Sequence, residues 1–283
     1  MKIYAVMVAY NPDENRFRRS IESLLYQVDR IIVVNNGRNP LDLNIDGVEV
    51  VELGENKGIA YAQNRGIEIC EAQKADYVLL SDQDTVYPNR YIESFSYYLN
   101  SSDADVFCPV FYDNIKGVYS PIMTGKFRSI EKSDVPVLVA HAIASGSLIR
   151  TDIFRAVGKM DEDLFIDYVD FEWCWRATSK GKRILTVPSV VISHNLGDGT
   201  KKILWKEVTL RSDFRYFYIL RNGYFLSFHC RYLTLPEKLH LLMRTVSFSV
   251  GVLLLRHNFK IVRIIFKAFL LGISGKFHAG ASL

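Results

Sequence analysis

Three short apolar runs, each ending in Asn or Asp, constrain the fold more than anything else in the chain. Lys2-Ile-Tyr-Ala-Val-Met-Val-Ala9 leads into Tyr10-Asn-Pro12, Arg30-Ile-Ile-Val-Val34 into Asn35-Asn-Gly37, and Tyr77-Val-Leu-Leu80 into Ser81-Asp-Gln-Asp84. Runs of this length without polar alternation read as strands covered on both faces, as in a parallel sheet. Between the first two, Phe17, Ile21, Leu24 and Leu25 recur at helical spacing, which supplies the crossover that parallel strands need. Val48-Glu-Val-Val-Glu-Leu53 alternates as a further strand, Gly58 to Ala72 reads as a helix, and Pro88 is expected in the first turn of another. Residues 1–100 are therefore expected to form a Rossmann-like α/β half. Ligands of such sheets collect at the carboxyl ends of the strands, where Asn11, Asn35 and the Asp82/Asp84 pair fall.

Residues 101–230 read as a less regular second half. It holds short β-like pieces (Val106–Val110, Val137–His141), a helix from Val169 to Ser179, strands Ile184–Val187 and Val190–Ser193, and an aromatic segment from Arg211 to His229. Pro236 opens a C-terminal extension, residues 231–283. Of 35 Lys and Arg and 31 Asp and Glu in the chain, eight bases but one acid, Glu237, lie from Arg231 onward. The formal net charge of +4 thus divides into a slightly acidic body and a strongly basic, apolar tail. A composition 49% hydrophobic and 23% charged over 283 residues allows a large core and excludes disordered and collagen-like chains. Cys70, Cys108, Cys174 and Cys230 are dispersed without a C-x-x-C pairing, which excludes a disulfide-stapled scaffold and fits a reducing compartment. The first apolar run is too short for a secretory leader. No G-x-G-x-x-G follows it, which argues against a dehydrogenase.

Four segments could carry chemistry. Asp82 and Asp84, on alternate positions after a buried strand, can hold a hard divalent cation together with the phosphates it bridges; an acidic turn with a helix cap is the plainer reading. Asn56-Lys-Gly-Ile-Ala-Tyr-Ala-Gln-Asn64-Arg-Gly66 opens a helix at Gly58, and a helix start suits a diphosphate; close packing of small residues explains it equally well. Asp167-Tyr-Val-Asp-Phe-Glu-Trp-Cys-Trp-Arg176 gathers three acids among aromatics. There Glu172 and Arg176 are spaced to pair on a helix, while Asp170 is either the cap of that helix or a general base. His194 follows a strand and precedes Gly197, a context that His141, His229, His240, His257 and His278 lack.

Taken in order, Val8-Ala-Tyr-Asn-Pro12, Asn35-Asn-Gly37, the Asn56–Gly66 segment, Asp82-x-Asp84, Ala144-Ser-Gly-Ser147, Asp161-Glu-Asp-Leu-Phe165, Val169–Arg176 and His194-x-x-Gly197 resemble the family-two glycosyltransferases of GT-A fold. Within them the bacterial rhamnosyltransferases of cell-surface polysaccharide (O-antigen-type) assembly are nearest. The resemblance covers residues 3–230. It implies a nucleotide-binding half (1–100), an acceptor and catalytic half (101–230) and a helical C-terminal extension. It further implies an inverting, metal-dependent transferase, with Asp84 and His194 holding Mg²⁺ or Mn²⁺ beside Asp82. Ala9, Tyr10, Asn11 and Asn35 would line the nucleoside pocket, with Gly58 and Asn64 near the donor, and Asp170 would be the catalytic base. The sequence departs from the family at Asn35, usually Asp, and at Val169, usually Glu. Loss of that neighbouring charge eases ionisation of Asp170.

The donor implied is dTDP-L-rhamnose, with UDP-galactofuranose or another UDP-hexose as the alternative, and the acceptor is a lipid-linked saccharide. A non-catalytic nucleotide-sugar-binding scaffold has no need of Asp84, Asp170 and His194 together. In the tail, the longest uncharged apolar run, Thr245 to Leu255, is eleven residues, short of the roughly 20 that span a bilayer. Bases recurring among Phe and Leu suit amphipathic helices on an anionic leaflet. A peripheral place on the cytoplasmic face of the bacterial inner membrane is thus expected, with a homodimer through the tail as the rival. No nucleic acid is expected as a partner.

Overall fold

The computed structural model describes residues 1–114, 116–194, 200–203, 206–209, 211–256 and 258–275. It divides into two compact units: Met1–Glu162 with Asp170–Asn195, and Asp163–Val169 with Leu196–Leu283.

Unit 1 is built on one mixed sheet. Strands β1 (Ile3–Ala9), β2 (Arg30–Asn35) and β3 (Val48–Glu52) are parallel, and β4 (Tyr77–Asp82) runs parallel on the other side of β1. Every residue of β1 is buried, as a strand covered on both faces must be. Helix α1 (Glu14–Leu24) makes the first crossover; Asp13 caps it by accepting from the Arg16 amide at 2.9 Å, and Phe17, Ile21 and Leu24 face the core. Helix α2 (Ile59–Ala72) lies so close to β1 that a Cβ at Gly66 would collide with Val6. Pro88 lies outside any helix, where its carbonyl accepts from Gln27 Nε2 at 3.0 Å. The helix expected there begins later and is short, α3 (Ser96–Ser101).

The sheet continues through β5 (Val106–Asp113), with β6 (Val118–Tyr119) paired to it. A separate hairpin, β7 (Ile122–Gly125) and β8 (Arg128–Ile130), precedes β9 (Val137–Leu138) and β10 (Leu148–Arg150). Strand β10 enters antiparallel between β4 and β5. After α4 (Ile153–Val157) and α5 (Val169–Ser179), β11 (Ile184–His194) pairs parallel to β5. The two strands read from the sequence at Ile184–Val187 and Val190–Ser193 are thus one, interrupted by a register shift between Thr186 and Val191.

In unit 2, β12 (Thr200–Ile203) and β13 (Lys206–Thr209) form a hairpin, followed by α6 (Asp213–His229), α7 (Leu235–Arg256) and α8 (Phe259–Ser274). The aromatic segment noted in the sequence is α6, whose Tyr216, Phe217, Leu220 and Tyr224 pack with Val252 of α7 and Ile261, Ile264 and Ala268 of α8. Helix α7 is long and apolar enough to cross a membrane by length and composition, although its longest uncharged run is short. Its Leu241, Thr245, Ser249 and Val252 are buried; Ser249 Oγ hydrogen-bonds Tyr224 OH at 2.9 Å.

Candidate functional site

Sheet register sets three strand ends level. Ala9 lies opposite Asn35, and Val8 opposite Asp82, so the residues after β1, β2 and β4 emerge together at the carboxyl edge. Ala9 is fully buried, Tyr10 is about half exposed, and the backbone amide of Tyr10 donates to Gln83 Oε1 at 2.6 Å. Gln83 therefore ties the first strand end to the acidic turn. Asn11 takes a left-handed conformation, φ 44°, which Asn tolerates better than most residues. Asn35 is buried. Its amide donates to Asn39 O at 2.8 Å and to Glu52 Oε2 at 2.5 Å, and its oxygen accepts from the Gly37 amide at 3.0 Å. The glutamate partner gives a physical reason for Asn here, since an aspartate would face a second carboxylate.

At the start of α2, Gly58 has φ 90° and its amide donates to Asn56 Oδ1, while the Lys57 amide donates to Asn36 Oδ1. Asn64 is buried and holds unit 1's own backbone: it donates to Met160 O and Glu162 Oε1 and accepts from the Met160 amide. Its polar atoms thus serve the packing of the segment after α4.

Asp82 is half-buried and Asp84 exposed. The turn is pinned by the Ala144–Ser147 segment. Ser145 Oγ accepts from the Asp82 amide at 3.1 Å and lies 3.0 Å from Thr85 Oγ1, and the Gly146 amide donates to Leu80 O at 2.7 Å. Gly146 has φ +79°, and a Cβ there would collide with Ile192. Two carboxylates on a fixed turn are the hard oxygen donors that Mg²⁺ or Mn²⁺ takes alongside substrate phosphates, so the residues fit such an ion. Among the described residues no group of three or more His, Cys, Asp or Glu side chains gathers as a metal cage. His194 ends β11 opposite Asp113, and its side chain lies outside the described residues.

Asp170 stands in the first turn of α5, half-buried, its Oδ1 accepting from the Phe171 amide at 2.9 Å. Glu172, in the same turn, and Arg176 form the pair their spacing indicated, bidentate at 3.0 and 2.8 Å, and Arg176 also donates to Val157 O and Lys159 O. Burial pushes the Glu172 carboxyl up from its ordinary value against the opposing pull of Arg176. Glu172 is thus a structural anchor of α5.

Sequence reasoning missed the residues that hold the approach to Asp170. Within unit 2, Asn222 Nδ2 lies 2.9 Å from the carbonyl oxygens of Leu164, Ile166 and Asp167. Arg221 donates to Asp163 O and Leu164 O, and Arg215 pairs with Asp167 at 2.7 Å. The available signal was the Arg221-Asn222 pair in the middle of a predominantly aromatic and apolar helix.

The sequence pattern described as Glycosyl transferase family 2 matches residues 4–158. The dTDP-rhamnosyl transferase RfbF of Shigella flexneri is 34% identical over 234 residues, covering 79% of each chain. Among solved structures, residues 1–349 of S. aureus TarS align with 96% of this chain and 81% of that one, at 15% identity and a TM-score of 0.63. GalNAc-T7, solved with UDP, GalNAc and Mn²⁺, aligns with 80% of this chain at 14% identity and a TM-score of 0.56; this chain spans 50% of its length. At such identities these two structures speak for the fold alone.

Proposed function

The chain belongs to glycosyl transferase family 2, and on that premise we propose that it transfers L-rhamnose from dTDP-L-rhamnose to a hydroxyl of a lipid-linked saccharide, with inversion. What carries this reading is the 34% identity to a dTDP-rhamnosyl transferase along 79% of both chains. The level strand ends and the pinned acidic turn support it. Tyr10, Asn11 and Asn35 would line the nucleoside, and the carboxylates of Asp82 and Asp84, with His194, would hold Mg²⁺ or Mn²⁺. When bound, that ion neutralises the charge of the departing diphosphate. Asp170 accepts the acceptor's hydroxyl proton as the oxygen bonds the anomeric carbon and the bond from that carbon to the diphosphate breaks, releasing dTDP. Such base catalysis is worth about 10²–10⁴-fold.

Release of nucleoside diphosphate from dTDP-L-rhamnose, UDP-galactofuranose and UDP-hexoses, with Mg²⁺ or Mn²⁺ and with chelator, tests this. Turnover confined to dTDP-L-rhamnose and abolished by chelator is expected. Turnover of a UDP-sugar instead, or full activity in chelator, overturns the donor or the metal reading respectively.

The lipid-linked acceptor is matched by the tail helices. At ~100° per residue, α8 buries Ile261, Ile264, Ala268 and Gly272 on one side and exposes Val262, Phe266, Phe269, Leu270 and Ile273 on the other. Lys260, Arg263 and Lys267 form a stripe beside the exposed face. Helix α7 likewise exposes Leu239, Met243, Val246, Val250 and Leu253 opposite its packed side. Apolar faces flanked by bases lie in the plane of an anionic leaflet. The full chain should float with vesicles containing phosphatidylglycerol, and Phe266→Asp should weaken this. A soluble dimer that ignores vesicles would favour the interface between copies.

A further inference from the structure

Unit 2 contains one stretch of chain remote in sequence from the rest of it: the seven residues Asp163–Val169, which end at the residue before Asp170. The stretch is strained. Phe165, Asp167 and Tyr168 have φ of 63°, 65° and 65°, a region that bulky residues avoid and that costs roughly 1–3 kcal/mol each. Such backbone persists only where its surroundings over-determine it. Here they do so from α6. Asn222 is fully buried, and its amide nitrogen lies 2.9 Å from three carbonyl oxygens of the stretch, those of Leu164, Ile166 and Asp167. Arg221 is also buried; it donates to Asn222 Oδ1, which fixes the amide's orientation, and to Asp163 O and Leu164 O. Phe165 stacks on Tyr218 with centroids 4.8 Å apart, and Arg215 holds the Asp167 carboxylate.

We infer that Asn222, oriented by Arg221 and assisted by Arg215, is a positioning residue of the transferase, holding the strained Asp163–Val169 backbone that delivers Asp170 to the reaction. The inference rests on the reading of Asp170 as the base. None of the residues proposed to line the donor lies on this stretch or on α6, so loss of the latch is expected to act on turnover. A base misplaced by about 1 Å costs on the order of 10²-fold in rate. Loss of the amide's two N–H groups, which the three carbonyls share, also destabilises the segment.

The test compares Asn222→Ala, Arg215→Ala, Arg215→Lys and Asp170→Asn in the full chain, reading kcat, KM for the donor, dTDP affinity by calorimetry and the acidic limb of the pH–kcat profile. Asn222→Ala is expected to lower kcat about 10- to 100-fold with donor KM and dTDP affinity within twofold, and to shift the acidic limb. Arg215→Ala should lower kcat several-fold, and Arg215→Lys should restore most of it. Because Arg215 is partly exposed, its variants decide the matter if Asn222→Ala does not fold. Unchanged kcat in Asn222→Ala and Arg215→Ala, or a parallel loss of kcat and dTDP affinity, overturns the latch. Wild-type turnover in Asp170→Asn overturns the base assignment instead, whatever the latch variants do.

Discussion

The two acidic segments of this glycosyltransferase are held in opposite ways. Asp82-Gln-Asp84 ends a buried parallel strand, and sheet register with β1 sets its place. Neighbouring side chains, Gln83 and Ser145, then fasten the turn. The approach to Asp170 has no such strand. Its backbone takes three left-handed residues and is kept there by side chains of a helix some fifty residues away in the chain, Asn222 lying 55 positions from Asp167. Repetitive backbone pairing tolerates change at single side chains. A latch made of one amide and two guanidinium groups does not.

The largest effect that would sharpen this contrast is at Asp170. Asp170→Asn should lower kcat by about 10²–10⁴-fold, while thermal unfolding and dTDP binding stay as in the wild type. Next is Asp84→Asn. Removing an exposed carboxylate from a turn fixed by register should leave the fold intact and, with Asp84 in its proposed role as a metal ligand, lower transfer about 10²-fold or more, partly recovered at high Mn²⁺.

The Glu172→Gln change probes the buried pair that anchors α5. Stripping Arg176 of its charged partner inside the protein should destabilise the folded state by about 3 kcal/mol, visible as a lower denaturant midpoint. An unchanged midpoint would show that α5 is held by other contacts. Ser145→Ala removes one acceptor behind the acidic turn and should cost about 1 kcal/mol with a weaker apparent metal affinity. A loss as large as that of Asp84→Asn would break the contrast, because the turn would then depend on one side chain. The smallest expected effect is at the thiols: burial pushes Cys70 and Cys108 up to about 12. Raised values mean negligible thiolate at pH 8, so alkylating reagents should label neither until the protein unfolds, as mass spectrometry can follow.

Much of the first half could be read directly. The apolar runs at Ile3, Arg30 and Tyr77 became β1, β2 and β4, the helix from Gly58 became α2, and the Glu172–Arg176 spacing became a bidentate pair. Each of these is a local periodicity. The places of Pro88 and of the single strand β11 were less legible, since they depend on which carbonyls and strands lie nearby. Asn35 and Asn64 were visible as residues, but not that Glu52 and the Met160 backbone engage their amides.

By itself, the sequence determined the parallel β1–β4 part of an α/β sheet, with polar residues at its strand ends, because burial on both faces leaves a contiguous run of apolar residues. It also determined a basic, apolar tail, because charge and hydropathy are properties of composition. Only the tertiary structure decided that α6 belongs with the tail helices and that its Arg221 and Asn222 grip Asp163–Val169. The physical reason is that their partners are backbone carbonyls. Every residue carries one, so no pattern of side chains announces which three an asparagine will find.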